Sequence, residues 1–137
     1  MKKVVFDTSV AIKWFFPESG KDKSAKLKDR YAVGEIRLCT CDLFLYEFTS
    51  CLRNYTSMKI KEDDFSLATR GIQSLGLEIY PLDYSELPGL FALSRKLELS
   101  VYDCAYLLLA KTLKAPLYTA DRKLYLKAKK LVVSILV

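Results

Sequence analysis

Four acidic side chains are the residues of this sequence best suited to chemistry: Asp7, Glu47, Asp103 and Asp121. Separations of 40, 56 and 18 residues exclude a local motif, so only a fold can bring them together. The 137-residue chain contains no histidine, which removes Ser-His-Asp and Cys-His triads, imidazole acid/base catalysis and His-ligated zinc. Four carboxylates about 5 Å apart would repel by roughly 3 kcal/mol per pair at an effective dielectric near 20. Such a cluster protonates or holds cations, and oxygen-only ligation selects Mg²⁺ or Mn²⁺.

Each acid also has an ordinary local explanation. Asp7 and Asp121 can cap the helices that follow them, and Ser100-Val101-Tyr102-Asp103 fits a capping box. Glu47 differs, because it falls inside the apolar stripe Leu43, Phe44, Phe48, Cys51, Leu52 and Tyr55 of an amphipathic helix. A carboxylate on a core-facing stripe is costly unless a partner or a metal ion compensates it.

The positioning elements follow from hydrophobic periodicity. Lys3 to Phe6 reads as a buried strand, followed by the polar turn Asp7-Thr8-Ser9 and a short helix stopped near Pro17. Helices are expected over 21–33, Leu43–Met58 with Asp42 as its cap, Lys61–Leu75, Ser85–Leu97, Tyr102–Leu113 and Asp121–Lys130. Strands are expected at Arg37–Thr40, Leu77–Tyr80, Leu117–Thr119 and Leu131–Ile135. Short apolar strands alternating with amphipathic helices imply a three-layer α/β/α sandwich on a parallel sheet, expected here as one domain over 1–137. Ligands on such sheets bind beyond the carboxyl ends of the strands, where Asp7 and Asp121 fall.

Composition narrows the function. The net charge of +6 lies entirely in residues 111–137, suggesting a basic rim, with Arg122 and Lys123 as candidate contacts to backbone phosphates. Solvated helix faces explain such a run equally well. Gly71 and Gly76 have P-loop spacing, but Leu77-Glu78 follow them instead of Lys-Ser/Thr. No stretch is long and apolar enough for a membrane span, and no leader cleavage site follows Met1–Phe6, so a cytoplasmic protein with no membrane partner is expected. Cys39, Cys41, Cys51 and Cys104 then read as reduced core residues, with a Cys51–Cys104 bridge left open. A phosphatase-type Asp-x-Asp fails at Ser9, and a receiver-type acceptor after the middle strand has only Asp83.

Taken in order, Val4-Val5-Phe6-Asp7-Thr8-Ser9-Val10, Tyr46-Glu47 with Leu52, Val101-Tyr102-Asp103 before Tyr106-Leu107, and Leu117-Tyr118-Thr119-Ala120-Asp121-Arg122-Lys123-Leu124 resemble the PIN-domain ribonucleases. Within them they resemble the VapC-type toxins of toxin–antitoxin pairs. The resemblance implies a five-stranded sheet of order 3-2-1-4-5 and an acidic quartet of Asp7, Glu47, Asp103 and Asp121 holding Mg²⁺ or Mn²⁺. Thr8, Ser9 and Thr119 would supply nearby hydroxyls. It further implies endoribonuclease activity on RNA, a VapB-type antitoxin and a homodimer; RNA processing, or a non-catalytic RNA-binding or scaffold role, would use the same frame. The chain departs from the family at Cys104, where Ala is common, and at Cys41-Asp42, where a Pro often precedes the long helix. Cys104 beside Asp103 suggests a site sensitive to oxidation.

Overall fold

The computed structural model describes residues 2–16 and 19–137, so the expected helix stop at Pro17 lies outside the described residues. Strands β1 (Lys2–Phe6), β2 (Ile36–Cys41), β3 (Glu78–Tyr80), β4 (Leu117–Thr119) and β5 (Ser134–Leu136) form one sheet of order β3-β2-β1-β4-β5. Every pairing is parallel, with Val5 opposite Cys39 on one side and Leu117 on the other. Val4, Val5 and Phe6 are all buried although successive side chains point to opposite faces, so helices cover both faces of the central strand. That double burial makes β1 a continuous apolar run.

The helices are α1 (Thr8–Ile12), α2 (Lys21–Ala32), α3 (Leu43–Arg53), α4 (Glu62–Ser74), α5 (Leu87–Leu97, preceded by a 3₁₀ turn at Tyr84–Glu86), α6 (Val101–Leu113) and α7 (Arg122–Ala128). Phe6 packs on Trp14 at 5.4 Å and on Phe44 at 5.5 Å, which ties β1 to the segment after α1 and to α3. Gly34 and Gly76 take left-handed φ values of 79° and 59°, beyond the ends of α2 and α4.

The expected boundaries shift where the backbone finds other partners. The helix expected to reach Met58 ends at Arg53, where polar Asn54, Thr56 and Ser57 favour turn conformations. Asp42 lies at its start without capping it through the side chain. The last strand begins at Ser134 because the Leu131 and Val132 amides still bond to Ala128 O and close α7. Among the described residues no helix is long and apolar enough to cross a membrane.

The basic C-terminal quarter is divided by the fold. Lys127 Nζ bonds to Leu97 O at 2.5 Å and Glu98 O at 3.3 Å, neutralising the end of α5 where Glu98 adopts a left-handed φ of 52°. Lys129 lies over the Tyr125 ring. Lys111 and Lys114 line a cavity with Lys2 and Pro116 at the amino end of the sheet. The expected rim therefore shrinks, at the carboxyl end, to the exposed pair Arg122 and Lys123.

The cysteines require two corrections. No disulfide joins Cys51 to Cys104, in line with the reduced reading, but Cys51 is exposed rather than a core residue, while the other three are buried. Burial raises the Cys104 thiol above its ordinary pKa, and nearby Asp103 adds to that rise. A buried thiol kept protonated is a poor target for oxidants, contrary to the expected sensitivity.

Candidate active site

The chain runs from β1 outward through β2 to β3, then crosses back to place β4 on the other side of β1. The carboxyl ends of β1 and β4 therefore flank the point where strand order reverses, which is where open parallel sheets leave a crevice. Asp7 lies at this point, just past β1, and is 6% exposed. It occupies the cap position of α1 without making a side-chain cap.

The Asp7 carboxylate is held by hydroxyls. Ser9 Oγ donates to Oδ1 and Thr119 Oγ1 to Oδ2, each at 2.5 Å. Ser9 Oγ accepts from the Ala120 amide at 2.9 Å, and Thr119 Oγ1 from the Asp121 amide at 3.0 Å. Two backbone N–H groups of the turn after β4 thus reach Asp7 through one hydroxyl each. Burial nevertheless pushes the Asp7 carboxyl up to about 6, against the lowering effect of Ser9 and Thr119, and the charge of Asp103 pushes the same way.

Asp103, half-buried in the first turn of α6, also has a raised pKa: burial comes first, then the charge of Asp121. Glu47 adds to the rise, while Ser100 and Lys123 oppose it. These mutual effects place Asp103 within electrostatic reach of Asp7, Asp121 and Glu47, with Lys123 as the cation near it. Ser100 Oγ caps the Asp103 amide at 3.0 Å, and Asp121 Oδ1 caps the Leu124 amide at 3.1 Å. The cap expected of Asp121 is present and the one expected of Asp7 is not, while of the expected capping box only the Ser100 hydroxyl bond is made, which leaves the Asp103 carboxylate outside it.

Glu47 enters from α3, where Phe44, Phe48 and Leu52 of the expected stripe are buried. Its compensation is hydroxylic: Tyr106 Oη donates to Oε1 at 2.6 Å and Thr8 Oγ1 to the same oxygen at 3.2 Å. Tyr106 was visible in the sequence only as part of a motif. The signal that marks it is a tyrosine on the buried face of α6, three residues after Asp103, where a phenol needs a polar partner.

The donor set fits a hard divalent cation in chemistry. It is all carboxylate, the charges of Asp121 and Glu47 add to the raised pKa of Asp103 and that of Asp103 to the raised pKa of Asp7, and among the described residues none of the four forms a salt bridge. In spacing it is looser than the 5 Å cluster expected. Among the described residues, no three His, Cys, Asp or Glu side chains stand as a ready metal-holding group. Like charges repel, and Lys123 offsets only part of that repulsion at Asp103, so a divalent cation would draw the four acids inward.

A family model described as PIN domain matches residues 4–130. Among solved structures, the "Crystal Structure of PAE2754 from Pyrobaculum aerophilum" is similar, with 20% identity and a TM-score of 0.67 over 97% of this chain and 89% of that one. This likeness concerns the fold. No curated protein matches the chain.

Proposed function

Since the chain belongs to the PIN-domain family, a nuclease fold, we propose that residues 1–137 act as one domain and form a divalent-metal-dependent endoribonuclease, the toxin of a VapBC-type pair. The observation that supports this reading is the electrostatic influence that Asp121 and Glu47 exert on Asp103, and Asp103 on Asp7, around the β1/β4 crevice, with no salt bridge to any of the four among the described residues. Asp7, Asp103 and Asp121 would hold Mg²⁺ or Mn²⁺, with Glu47 ligating or orienting water. A bound ion of this kind polarises a phosphodiester and makes an attacking water more acidic. Ser9 and Thr119 fix the Asp7 carboxylate in one orientation. Lys123, near Asp103, and Arg122 beside it neutralise substrate phosphates.

The expected behaviour is cleavage of single-stranded or loop RNA with Mg²⁺ or Mn²⁺, loss of cleavage in EDTA, and products with 5′-phosphate and 3′-OH ends. Equal cleavage in EDTA contradicts the proposal. Replacing Arg122 and Lys123 together with Ala should raise KM for RNA about 3- to 10-fold and flatten its salt dependence, since each phosphate contact releases counterions. An unchanged salt slope would remove this pair from the interface.

A homodimer fits the exposed apolar face around α5 and the amino end of α6. Tyr84 and Phe91, 89% and 61% exposed, protrude close to a groove of about 470 Å³ lined by Tyr46, Leu90, Val101 and Leu109. A two-fold interface needs protrusion and hollow on the same patch. Sedimentation should give twice the 15.7 kDa chain mass; a monomer at every concentration contradicts the dimer. The VapB-type antitoxin would be held by the α3–α4 pair, which exposes Leu45 and Leu67. An adjacent reading frame for a small DNA-binding protein that co-purifies with the chain supports that partner; its absence favours an RNA-processing role for the same site.

A further inference from the structure

Tyr106 is 1% exposed, and its hydroxyl is the only polar part of a side chain otherwise suited to the core. The hydroxyl lies 2.6 Å from Glu47 Oε1 and 3.0 Å from Thr8 Oγ1, and Thr8 bonds to the same Glu47 oxygen. Three elements, α1, α3 and α6, therefore meet at one carboxylate oxygen. A carboxylate oxygen only accepts, so at 2.6 Å the Tyr106 hydroxyl donates to it. Glu47 Oε2 has no hydrogen bond from any described residue.

A carboxylate held in this way has lost its freedom to swing and to offer both oxygens at once. We propose that Tyr106 is a positioning residue of the nuclease site: with Thr8 it fastens Glu47 by Oε1, leaving Oε2 as the single oxygen available to a cation or a water. The assignment rests on the reading of Glu47 as part of that site. It also explains a tyrosine where phenylalanine would fill the same core space, because burying a phenol is costly unless its hydroxyl is matched.

Tyr106→Phe keeps the ring and removes the hydroxyl. The expected result is a kcat lower by about tenfold, KM for RNA within about twofold of the parent, and Mn²⁺ affinity weakened about 3- to 10-fold by calorimetry. In a Glu47→Gln background the same change should alter kcat by less than about twofold, because its effect passes through Glu47. Thr8→Val, which removes the other donor, should give a smaller loss of the same kind and keeps the test open if Tyr106→Phe folds poorly. Parental kcat and Mn²⁺ affinity in Tyr106→Phe, or an equal loss in both backgrounds, would overturn the assignment. Full activity in Glu47→Gln would overturn the role of Glu47 and this assignment together. Loss in Glu47→Gln without loss in Tyr106→Phe or Thr8→Val would overturn the positioning role alone.

Discussion

Asp7→Asn is expected to lower RNA cleavage by at least about a hundredfold while leaving the protein folded and no less stable at neutral pH. The loss follows from position: Asp7 is the most buried of the four acids and lies at the crevice between β1 and β4. Removing its charge removes a ligand whose attraction for a cation is strengthened by its dry surroundings. Stability should not suffer, because asparagine has the same shape and removes a buried charge. Thr119 Oγ1 or Ser9 Oγ can accept from the new amide, each having a second lone pair besides the one that receives a backbone N–H. Cleavage assays with a melting curve separate the two effects. Full activity in Asp7→Asn would remove Asp7 from the mechanism, and a collapsed melting temperature would make it a structural residue.

The second large effect is on stability against pH in the absence of metal. The Asp7 carboxyl rises from 3.8 to about 6 on folding, so between these values the native state binds more protons than the unfolded state. Stability must then fall as pH rises: its full contribution is present below pH 3.8 and is lost through about pH 6. About two pH units correspond to about 3 kcal/mol at most. Asp103 is shifted in the same direction and adds to the trend. Urea unfolding in EDTA from pH 4 to 7.5 should show the decline, and Asp7→Asn should flatten it. Mn²⁺ at about a hundred times its Kd should restore about 2.7 kcal/mol at pH 7.5. A metal-free protein whose stability rises across this range would contradict the charged, uncompensated state of Asp7.

The sheet is legible in the sequence because its central strands are buried on both faces. Val4-Val5-Phe6 and Leu117-Tyr118-Thr119 are short apolar runs with sharp punctuation, and Pro116, Gly34 and Gly76 mark the breaks. The acids are legible for a related reason. Asp7 directly follows β1, Asp121 lies two residues past β4, and Glu47 interrupts an apolar stripe, so topology alone points them to one end.

What escaped the sequence depends on contacts with no local pattern. Tyr106 reaches Glu47 across 59 residues and Thr8 across 98, and only the fold reveals the shared oxygen. Lys127 belongs by composition to a basic patch, yet its ammonium is committed to carbonyls at the end of α5. Cys51 follows the helical period of a core residue and is exposed, because the buried stripe of α3 is narrower than the periodicity suggests. The ends of α3 and β5 moved by a few residues where turn-forming side chains or a helix-closing bond competed with the pattern.

A crystal soaked in Mn²⁺ and measured at the manganese absorption edge would locate any bound ion directly. The expected result is an anomalous peak at the β1/β4 crevice, with Asp7, Asp103 and Asp121 drawn in around it and Glu47 approaching through Oε2. No peak at this crevice under conditions where the protein cleaves RNA, or a peak elsewhere on the chain, would contradict the assignment of these four carboxylates as its metal-dependent active site.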